Sequence, residues 1–299
     1  KDYEEQCNPV DNADLVVDAR AVNKDMMPLN PRIIKSSPPI ILLECINPDC
    51  RRQAPSVRVN ACRSCGKDPG NIIIGDINFL DSIDESYPGI WRYHKLMSVD
   101  PDCIVTSGEG NTPVVYMEEV SKKLGIHLWF KLEITNPTGT FKDREASYVI
   151  SLSRQHGQEN VVMQSTGNTA VAITHYAGLA NMPSWAFVPE SSLYKLIMPR
   201  KSPLSRIISV NGHPIDVKRI AEDFALRFGF PKISPFYERC EANATQGYEI
   251  AEMLLKGELP EQEILEGGTF DFYVQTIAAG MGPIGYYLAM KRMQKWTAG

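Results

Sequence analysis

The chain has 299 residues, of which 43% are hydrophobic and 22% charged, and its formal net charge is −5 at pH 7. This length can build one large or two medium cores. The acidic balance argues against nucleic acid as the main partner. No apolar run reaches the roughly 18 to 20 residues of a membrane helix, and no signal peptide is visible. The first residue is Lys, so we expect the start to be trimmed. Because no signal peptide is visible, we expect a cytoplasmic protein.

The N-terminal part combines a polar arm with a cysteine-rich module. Residues 1–38 are rich in Asp, Asn and Pro, which indicates an extended arm. Residues 39–75 hold four cysteines in two close pairs. The pairs are Cys45 with Cys50, and Cys62 with Cys65. Such pairs are typical of a structural zinc ribbon, and four thiolates leave no open position for catalysis. The alternative is a hairpin with four reduced cysteines.

From residue 114 onward, strand-like and helix-like segments alternate. Several strand-like runs are continuously apolar, which is typical of parallel strands covered on both faces. The alternation predicts an α/β fold with right-handed crossovers. The predicted strands along the whole chain are 40–43, 72–74, 128–132, 161–164, 185–189, 207–210 and 272–277. The predicted helices are 117–124, 145–155, 169–179, 215–228, 247–256 and 285–294.

Residues 136–144 form the most informative motif, a turn that leads into a helix. They read Asn-Pro-Thr-Gly-Thr-Phe-Lys-Asp-Arg. Lys142 stands at the predicted helix start, where the helix dipole and burial would both lower its pKa. A neutral lysine amine is what a Schiff base with an aldehyde needs. For a lysine taken alone, a solvated side chain is the commoner interpretation.

A second motif, Gln164-Ser-Thr-Gly-Asn-Thr-Ala170, follows an apolar run and opens a helix. A turn of this kind collects free backbone N–H groups that can hold a carboxylate. Taken alone, the motif is better interpreted as an ordinary helix cap. The later segment 190–206 is basic, with charges that suit a phosphate or a second carboxylate, although we favour a solvated face. These charges are Lys195, Arg200, Lys201 and Arg206.

A third motif lies at residues 273–285, where a strand-like run enters a glycine turn and a helix-like run leaves it. The turn suits a phosphate, because glycines permit close approach and a helix N-terminus favours an anion. Its spacing also fits Gly-x-Gly-x-x-Gly, a weak signal for a dinucleotide site. Such a fingerprint normally follows the first strand, with an acidic residue about twenty positions later. We therefore favour the phosphate interpretation.

Together these segments resemble the fold-type-II enzymes that use pyridoxal phosphate (PLP), most closely the threonine synthase family. That family carries Asn-Pro-Thr-Gly-Ser-Phe-Lys-Asp-Arg at its cofactor lysine. The loop Gly108-Glu-Gly-Asn-Thr-Pro113 is similar to the family's Gly-Glu-Gly-x-Thr-Pro, and residues 243–252 are similar to its later helical segment. Many members also begin with a paired-cysteine ribbon. The resemblance covers residues 108–290.

The resemblance implies a role for each motif. Lys142 would form the Schiff base, Asn168 would touch the cofactor's 3-hydroxyl oxygen, and the late glycine turn would hold the phosphate. The cofactor residues implied are Lys142, Asn168, Gly280, Met281, Gly282 and Gly285. The substrate residues implied are Thr112, Ser165, Thr166, Gly167 and Thr169.

The resemblance also implies two parallel-sheet α/β domains of the tryptophan synthase β-like kind, with the cofactor between them. The cysteine ribbon would precede both domains in the chain. The large domain would combine 76–145 with 225–299, and the small domain would be 146–224. Family members continue well past the glycine turn. We therefore expect the C-terminal part of the large domain to be absent, along with the Ser or Thr that faces the pyridine nitrogen. The family usually forms homodimers.

The implied activity is that of a lyase, a PLP-dependent elimination or replacement on a small, phosphorylated amino acid. Replacement of the cysteate synthase kind and amino-acid dehydratase or ammonia-lyase activity are alternatives within the same chemistry. A different class of hypothesis is a catalytically degenerate PLP-fold protein that serves as a binding module.

Overall fold

The computed structural model describes most of the chain from residue 40 to residue 296. The described ranges are 40–45, 49–50, 52–55, 64–65, 69–74, 78–197, 202–233, 236–265, 268–277 and 279–296. The strands are β1 (Ile40–Cys45), β2 (Gln53–Pro55), β3 (Pro69–Ile74), β4 (Val114–Tyr116), β5 (Trp129–Lys131), β6 (Val161–Gln164), β7 (Ser184–Pro189) and β8 (Ser205–Val210). The helices are α1 (Phe79–Ser82), α2 (Glu118–Leu124), α3 (Lys142–Gln155), α4 (Asn168–Leu179), α5 (Pro214–Phe228), α6 (Phe236–Lys256) and α7 (Met281–Trp296). Within these ranges, no helix has the length and apolarity to cross a membrane.

The cysteine-rich module contains an antiparallel sheet of order β2-β1-β3. The predicted strands at 40–43 and 72–74 lie within β1 and β3. Cys50 and Cys65 stand at turns between these strands, whereas Cys62 and the side chain of Cys45 lie outside the described residues. No group of three or more His, Cys, Asp or Glu side chains suited to a metal occurs in the described part of the chain. The zinc site therefore stays a prediction.

A parallel sheet of order β6-β7-β8 confirms the predicted α/β class. Successive side chains point to opposite faces of a strand. Met163 and Ala186 accordingly pack in one apolar cluster with α4, while Val162 and Phe187 pack in another with α5. The strands read as continuous apolar runs because helices cover both faces of the sheet.

A second core forms where α3, α6 and α7 meet the segment before β4. Its largest members, Trp91, Tyr93, Tyr148 and Tyr248, have at most 1% of their surface exposed. Helices α6 and α7 pack along each other. Helix α6 is longer than the predicted 247–256, because residues from Tyr237 onward are largely buried where the helix packs on α3 and α7.

The strand predicted at 128–132 is confirmed with an unexpected pairing, and the strand predicted at 272–277 was wrong. The segment around 128–132 forms β5, but it pairs antiparallel with β4 as a two-stranded ribbon and joins no parallel sheet. The apolar run at 272–277 is irregular. Phe272 and Val274 are 87% and 91% exposed, and no neighbouring strand among the described residues supplies the hydrogen bonds a strand needs. The described part of the predicted large domain thus shows no second parallel sheet.

A buried ion-pair cluster joins α3 to β5 and α6. The guanidinium of Arg144 has no exposure and lies 2.5 Å from Glu249 Oε1 and 2.8 Å from Glu133 Oε1. Lys131 Nζ is 2.6 Å from Glu249 Oε2. Burial raises the pKa of Glu249, but the adjacent Arg144 and Lys131 outweigh burial and bring this pKa to about 2. Two cations thus balance two carboxylates, as a buried site requires.

We expect Arg144→Met to lower the free energy of unfolding by about 3–5 kcal/mol, because it leaves two carboxylates without their shared partner. Urea denaturation would measure this loss. Lys122→Met is the matched control: its pair with Glu118 is exposed on both sides, so its unfolding midpoint should stay close to that of the parent. An Arg144→Met protein as stable as the Lys122→Met protein would contradict a cluster that holds the helices together.

Candidate active site

The predicted lysine turn forms as expected. The N–H of Gly139 donates to the Asn136 carbonyl at 2.8 Å, and Gly139 has a φ of +81°, a conformation that favours glycine. The carboxylate of Asp143 accepts from the N–H and the hydroxyl of Thr138, both at 2.9 Å. These contacts fix the point at which α3 begins, and its first residue is Lys142.

The amine of Lys142 is directed into the protein and not into bulk water. Its side chain is 13% exposed, and Nζ lies 2.6 Å from Glu145 Oε1 and 4.3 Å from the centroid of the Phe141 ring. Burial lowers the pKa of Lys142; the Glu145 carboxylate opposes this shift and the Arg239 charge adds to it. The amine is therefore closer to its neutral form than an exposed lysine is.

Glu145 contacts three polar side chains at the site, and the sequence analysis did not predict this role. It is 1% exposed and accepts from Arg239 Nε at 2.7 Å and from Asn243 Nδ2 at 2.9 Å, in addition to Lys142. Burial raises the pKa of Glu145, but Arg239 and Lys142 together lower it below the ordinary value. The spacing of Lys142 and Glu145, three residues apart on one helix, was a signal available from the sequence.

The late glycine turn lies beside this cluster. Gly280 has a φ of +83°, and α7 begins at the next residue, Met281. Gly285, in the second turn of α7, packs so closely on α6 that a Cβ there would stand 2.5 Å from the Cys240 carbonyl and 2.6 Å from Asn243 Cβ. Asn243 thus touches the glycine helix on one side and Glu145 on the other.

A chain of amide side chains continues from Asn243 to the glycine turn. Gln246 donates to Asn243 Oδ1 at 3.0 Å and accepts from the Tyr273 hydroxyl at 3.0 Å and from Gln275 Nε2 at 3.3 Å. A Cβ on Gly282 would lie 2.6 Å from Gln275 Oε1. That buried oxygen has no hydrogen-bond partner among the described residues. Hydrogen bonds therefore connect the Lys142 amine to Gln275, which packs against Gly282 of the glycine turn.

The second predicted motif connects β6 to α4. The hydroxyl of Ser165 accepts from the N–H groups of Gly167 at 3.1 Å and Ala170 at 3.2 Å, so it serves the turn itself. Three further N–H groups of the turn have no acceptor within the described ranges, and they suit an anion. They belong to Thr166, Asn168 and Thr169. The side chains of Thr166 and Asn168 are exposed.

A small cavity of about 50 Å³ brings the two motifs together. Its polar lining comes from α3, β6, α4, α6 and the segment before α6. These polar residues are Glu145, Gln164, Thr169, Lys232 and Arg239. The cavity therefore lies between the lysine helix and the predicted carboxylate turn.

Thr112 lies apart from that cavity. It is 1% exposed, and its hydroxyl donates to Glu133 at 2.8 Å while accepting from Arg144. The N–H of Asn111 donates to Glu249 at 2.8 Å. The loop predicted from Gly108 to Pro113 is thus anchored on the Arg144 cluster, and the Thr112 hydroxyl is committed to it.

The basic residues of segment 190–206 lie in different places in the structure. The side chain of Lys195 lies over the Ser165–Thr169 turn, since a Cβ on Gly167 would stand 3.8 Å from Lys195 Cβ. Arg206 donates to the carbonyls of Pro203 and Ser205 and faces its own loop. Arg200 and Lys201 lie outside the described residues. Lys195 is therefore the described member of this group placed at the site.

Asp143 and Glu109 form a buried acidic pair next to the lysine. Both are fully buried, and Glu109 accepts from the Trp91 indole and the Tyr176 hydroxyl. Burial raises the pKa of Asp143 to about 6 against the hydrogen bonds from Thr138, and the charge of Glu109 adds to the rise. One oxygen of Asp143 has no partner in the described part of the chain. A proton on that oxygen relieves the repulsion.

Residues 105–298 match the family described as pyridoxal-phosphate dependent enzyme, and the chain belongs to this family. Proteins named threonine synthase are among its relatives. Those of Methanosarcina acetivorans and Methanocaldococcus jannaschii are 29% and 32% identical to it, over 63% and 60% of this chain and 47% and 45% of theirs. That of Mycobacterium tuberculosis strain H37Rv is 31% identical over 62% of this chain and 52% of its own. The chain thus spans about half the length of the curated relatives it matches.

Solved structures show the same fold at lower identity. An O-ureido-L-serine synthase and a hydrogen sulfide-producing enzyme from Fusobacterium nucleatum each superpose with a TM-score of 0.50 and 17% identity. Each covers 62% of this chain, and the chain covers 57% and 61% of them. These neighbours support the fold-type-II α/β architecture.

Family membership implies PLP as the cofactor, and the residues present fit that group. Lys142 offers a buried amine of lowered pKa for an aldehyde. The N-terminus of α7, which follows Gly280, offers backbone N–H groups that suit a phosphate. The contacts through Glu145 and Asn243 hold these two features side by side.

The raised pKa of Asp143 predicts a pH dependence of stability. A carboxyl that titrates near 6 in the folded chain and near 3.8 unfolded binds more protons when folded between these values. The contribution of Asp143 to stability should therefore fall as pH rises from about 4 to 6, by up to about 3 kcal/mol. Asp143→Asn keeps an acceptor for Thr138 and should lose this fall, as measured by urea denaturation at each pH.

The control is Asp102→Asn, which changes an exposed carboxylate of a short turn. It should keep the pH profile of the parent. If Asp143→Asn also keeps that profile, Asp143 is not the group that titrates.

Proposed function

We propose that the protein is a threonine synthase-like lyase that carries PLP on Lys142 and eliminates or replaces a group on a small, phosphorylated amino acid. The observation that carries this proposal is the buried Lys142 amine, held beside the glycine turn through Glu145 and Asn243. An exposed lysine far from the turn would not support a covalent cofactor. The threonine synthases among the relatives favour this chemistry within the family.

Each motif then has a task. The N–H groups at the head of α7 and the adjacent glycines would hold the cofactor phosphate, and Asn168 would face its 3-hydroxyl. The free N–H groups of the Ser165–Thr169 turn would bind the substrate carboxylate. Bound PLP supplies an electron sink that stabilises negative charge at the substrate Cα. Lys142 Nζ would take and return protons there.

The charges near the turn support a phosphorylated substrate. Lys232 and Arg239 line the cavity that also contains Thr169, and Lys195 lies over Gly167. Cations on the side of the carboxylate turn complement a second anionic group on the same substrate. A substrate that carries a phosphate on its side chain meets this requirement, and an uncharged amino acid does not use it.

We propose 76–145 with 225–299 as the large domain and 146–224 as the small one. The parallel sheet and α4 lie inside the small range, α5 ends at Phe228, just past that range, and α6 and α7 lie inside the large one. The homodimer and the zinc ribbon stay predictions.

The experiment is titration of the purified protein with PLP. We expect an absorption band at the violet edge of the visible spectrum in the parent and none in Lys142→Ala, because the band requires the covalent bond to this amine. Lys95→Ala changes an exposed lysine and should keep the band. A parent protein that stays colourless with added PLP would contradict the proposal.

Substrate class is tested on the coloured protein with phosphohomoserine, phosphoserine, serine and threonine. Phosphate release from a phosphorylated substrate, lost in Lys142→Ala, supports the proposed reaction. Keto-acid release from serine or threonine alone would favour a dehydratase. A colour that no amino acid changes would point to a binding module.

A further inference from the structure

The cluster around Lys142 contains one carboxylate and two cations. Glu145 Oε1 faces Lys142 Nζ and Glu145 Oε2 faces Arg239 Nε, at 2.6 and 2.7 Å. The side chains of Lys142, Glu145 and Arg239 are 13%, 1% and 20% exposed. With both cations charged the cluster carries one uncompensated positive charge, whereas a neutral Lys142 leaves it balanced.

The other groups near the amine do not remove that excess. From α6, the Cys240 thiol and the Asn243 amide face it, and from α3 only Glu145 does among the charged residues described. Lys232, a further cation of the cavity, is paired with Glu222. An uncompensated buried charge is costly, so one of the two cations is driven to lose its proton.

The proton must come from Lys142. A guanidinium does not deprotonate in proteins, whereas a lysine ammonium readily does when buried. After the proton leaves for water, Glu145 keeps Arg239 on one oxygen and Asn243 on the other. The neutral amine can still donate one N–H to Glu145, and its lone pair becomes available.

We propose that Arg239 and Glu145 act as a pair of positioning residues that set the charge state of Lys142: Arg239 drives its deprotonation, and Glu145 holds the amine in place and limits that effect. This inference rests on the proposed function of Lys142, but it makes a claim about the cofactor-free protein. It requires that removal of either residue changes the titration of the amine, and that the two changes have opposite signs.

Competitive labelling measures this titration directly. The cofactor-free protein is treated with trace acetic anhydride at each pH from 6 to 11, and peptide mass spectrometry compares acetylation of Lys142 with that of the exposed Lys95 in the same molecule. Arg239→Met should move the Lys142 midpoint to higher pH. Glu145→Gln should move it to lower pH. A shift of about one pH unit, or tenfold in labelling at pH 8, corresponds to one charge contact.

Arg239→Lys is the matched control, because it keeps the positive charge and should keep the midpoint near that of the parent. General loosening of the fold would expose the amine and move its midpoint to higher pH in every variant, so it cannot produce the lower midpoint expected for Glu145→Gln. If the ion pair had a purely structural role, the variants would unfold at lower temperatures, and their Lys142 titration midpoints would stay the same. Midpoints that coincide, or that move in the same direction, would overturn the inference.

A second measurement separates this inference from the proposed function. If the protein binds PLP, the pH at which the violet band forms should follow the same order, with Glu145→Gln lowest and Arg239→Met highest. If it does not bind PLP but the midpoints still diverge, the proposed function fails and the charge control of Lys142 stands. If the violet band forms but the midpoints coincide, the proposed function stands and the inference about the charge of Lys142 fails.

Discussion

The buried guanidinium of Arg144 is the constraint on which the rest of the structure depends. A charge with no exposure must be matched, and its partners come from segments distant in the chain: Glu133 just after β5, and Glu249 in the middle of α6. Glu249 in turn holds the N–H of Asn111. Because all of these groups are needed at once, the start of α3, the Gly108–Pro113 loop and α6 can occupy only one arrangement. Lys142 lies two residues before Arg144 and inherits its position from that arrangement.

Four consecutive residues at the head of α3 enter three different polar environments. Asp143 turns toward Thr138 and the acidic pair with Glu109, Arg144 toward its two glutamates, and Lys142 shares Glu145 with Arg239. A helix places successive side chains about 100° apart, so one turn can serve several clusters. The same geometry that fixes the helix thus determines the charge around the lysine. Arg144, which stabilises the fold, and Lys142, the proposed cofactor lysine, are therefore neighbours on one helical turn.

Sequence patterns predicted the helices and strands of residues 146–224 accurately and those of the remaining chain less accurately. Strand β6 has the bounds predicted for it, and α4 begins one residue before its prediction, because an apolar run and a Ser/Thr/Gly/Asn turn are local signals. The apolar run at 272–277 carries the same local signal, yet it forms no strand. A strand exists only where another strand lies alongside it, and that information is not local. For the same reason, the antiparallel pairing of β5 was not predictable from its own residues.

By itself the sequence determined the family and the order of the turn motifs, and it predicted Lys142 as the cofactor lysine. Each of these depends on short stretches whose turn and helix preferences act locally, such as Gly139 in its left-handed conformation. Only the tertiary structure decided what faces the lysine. Glu145 is near in sequence, but Arg239 and Asn243 are roughly a hundred residues away, and they reach the amine because α6 packs on α3. Burial then converts these contacts into charge control, since the strength of an ion pair depends on how much water the fold excludes.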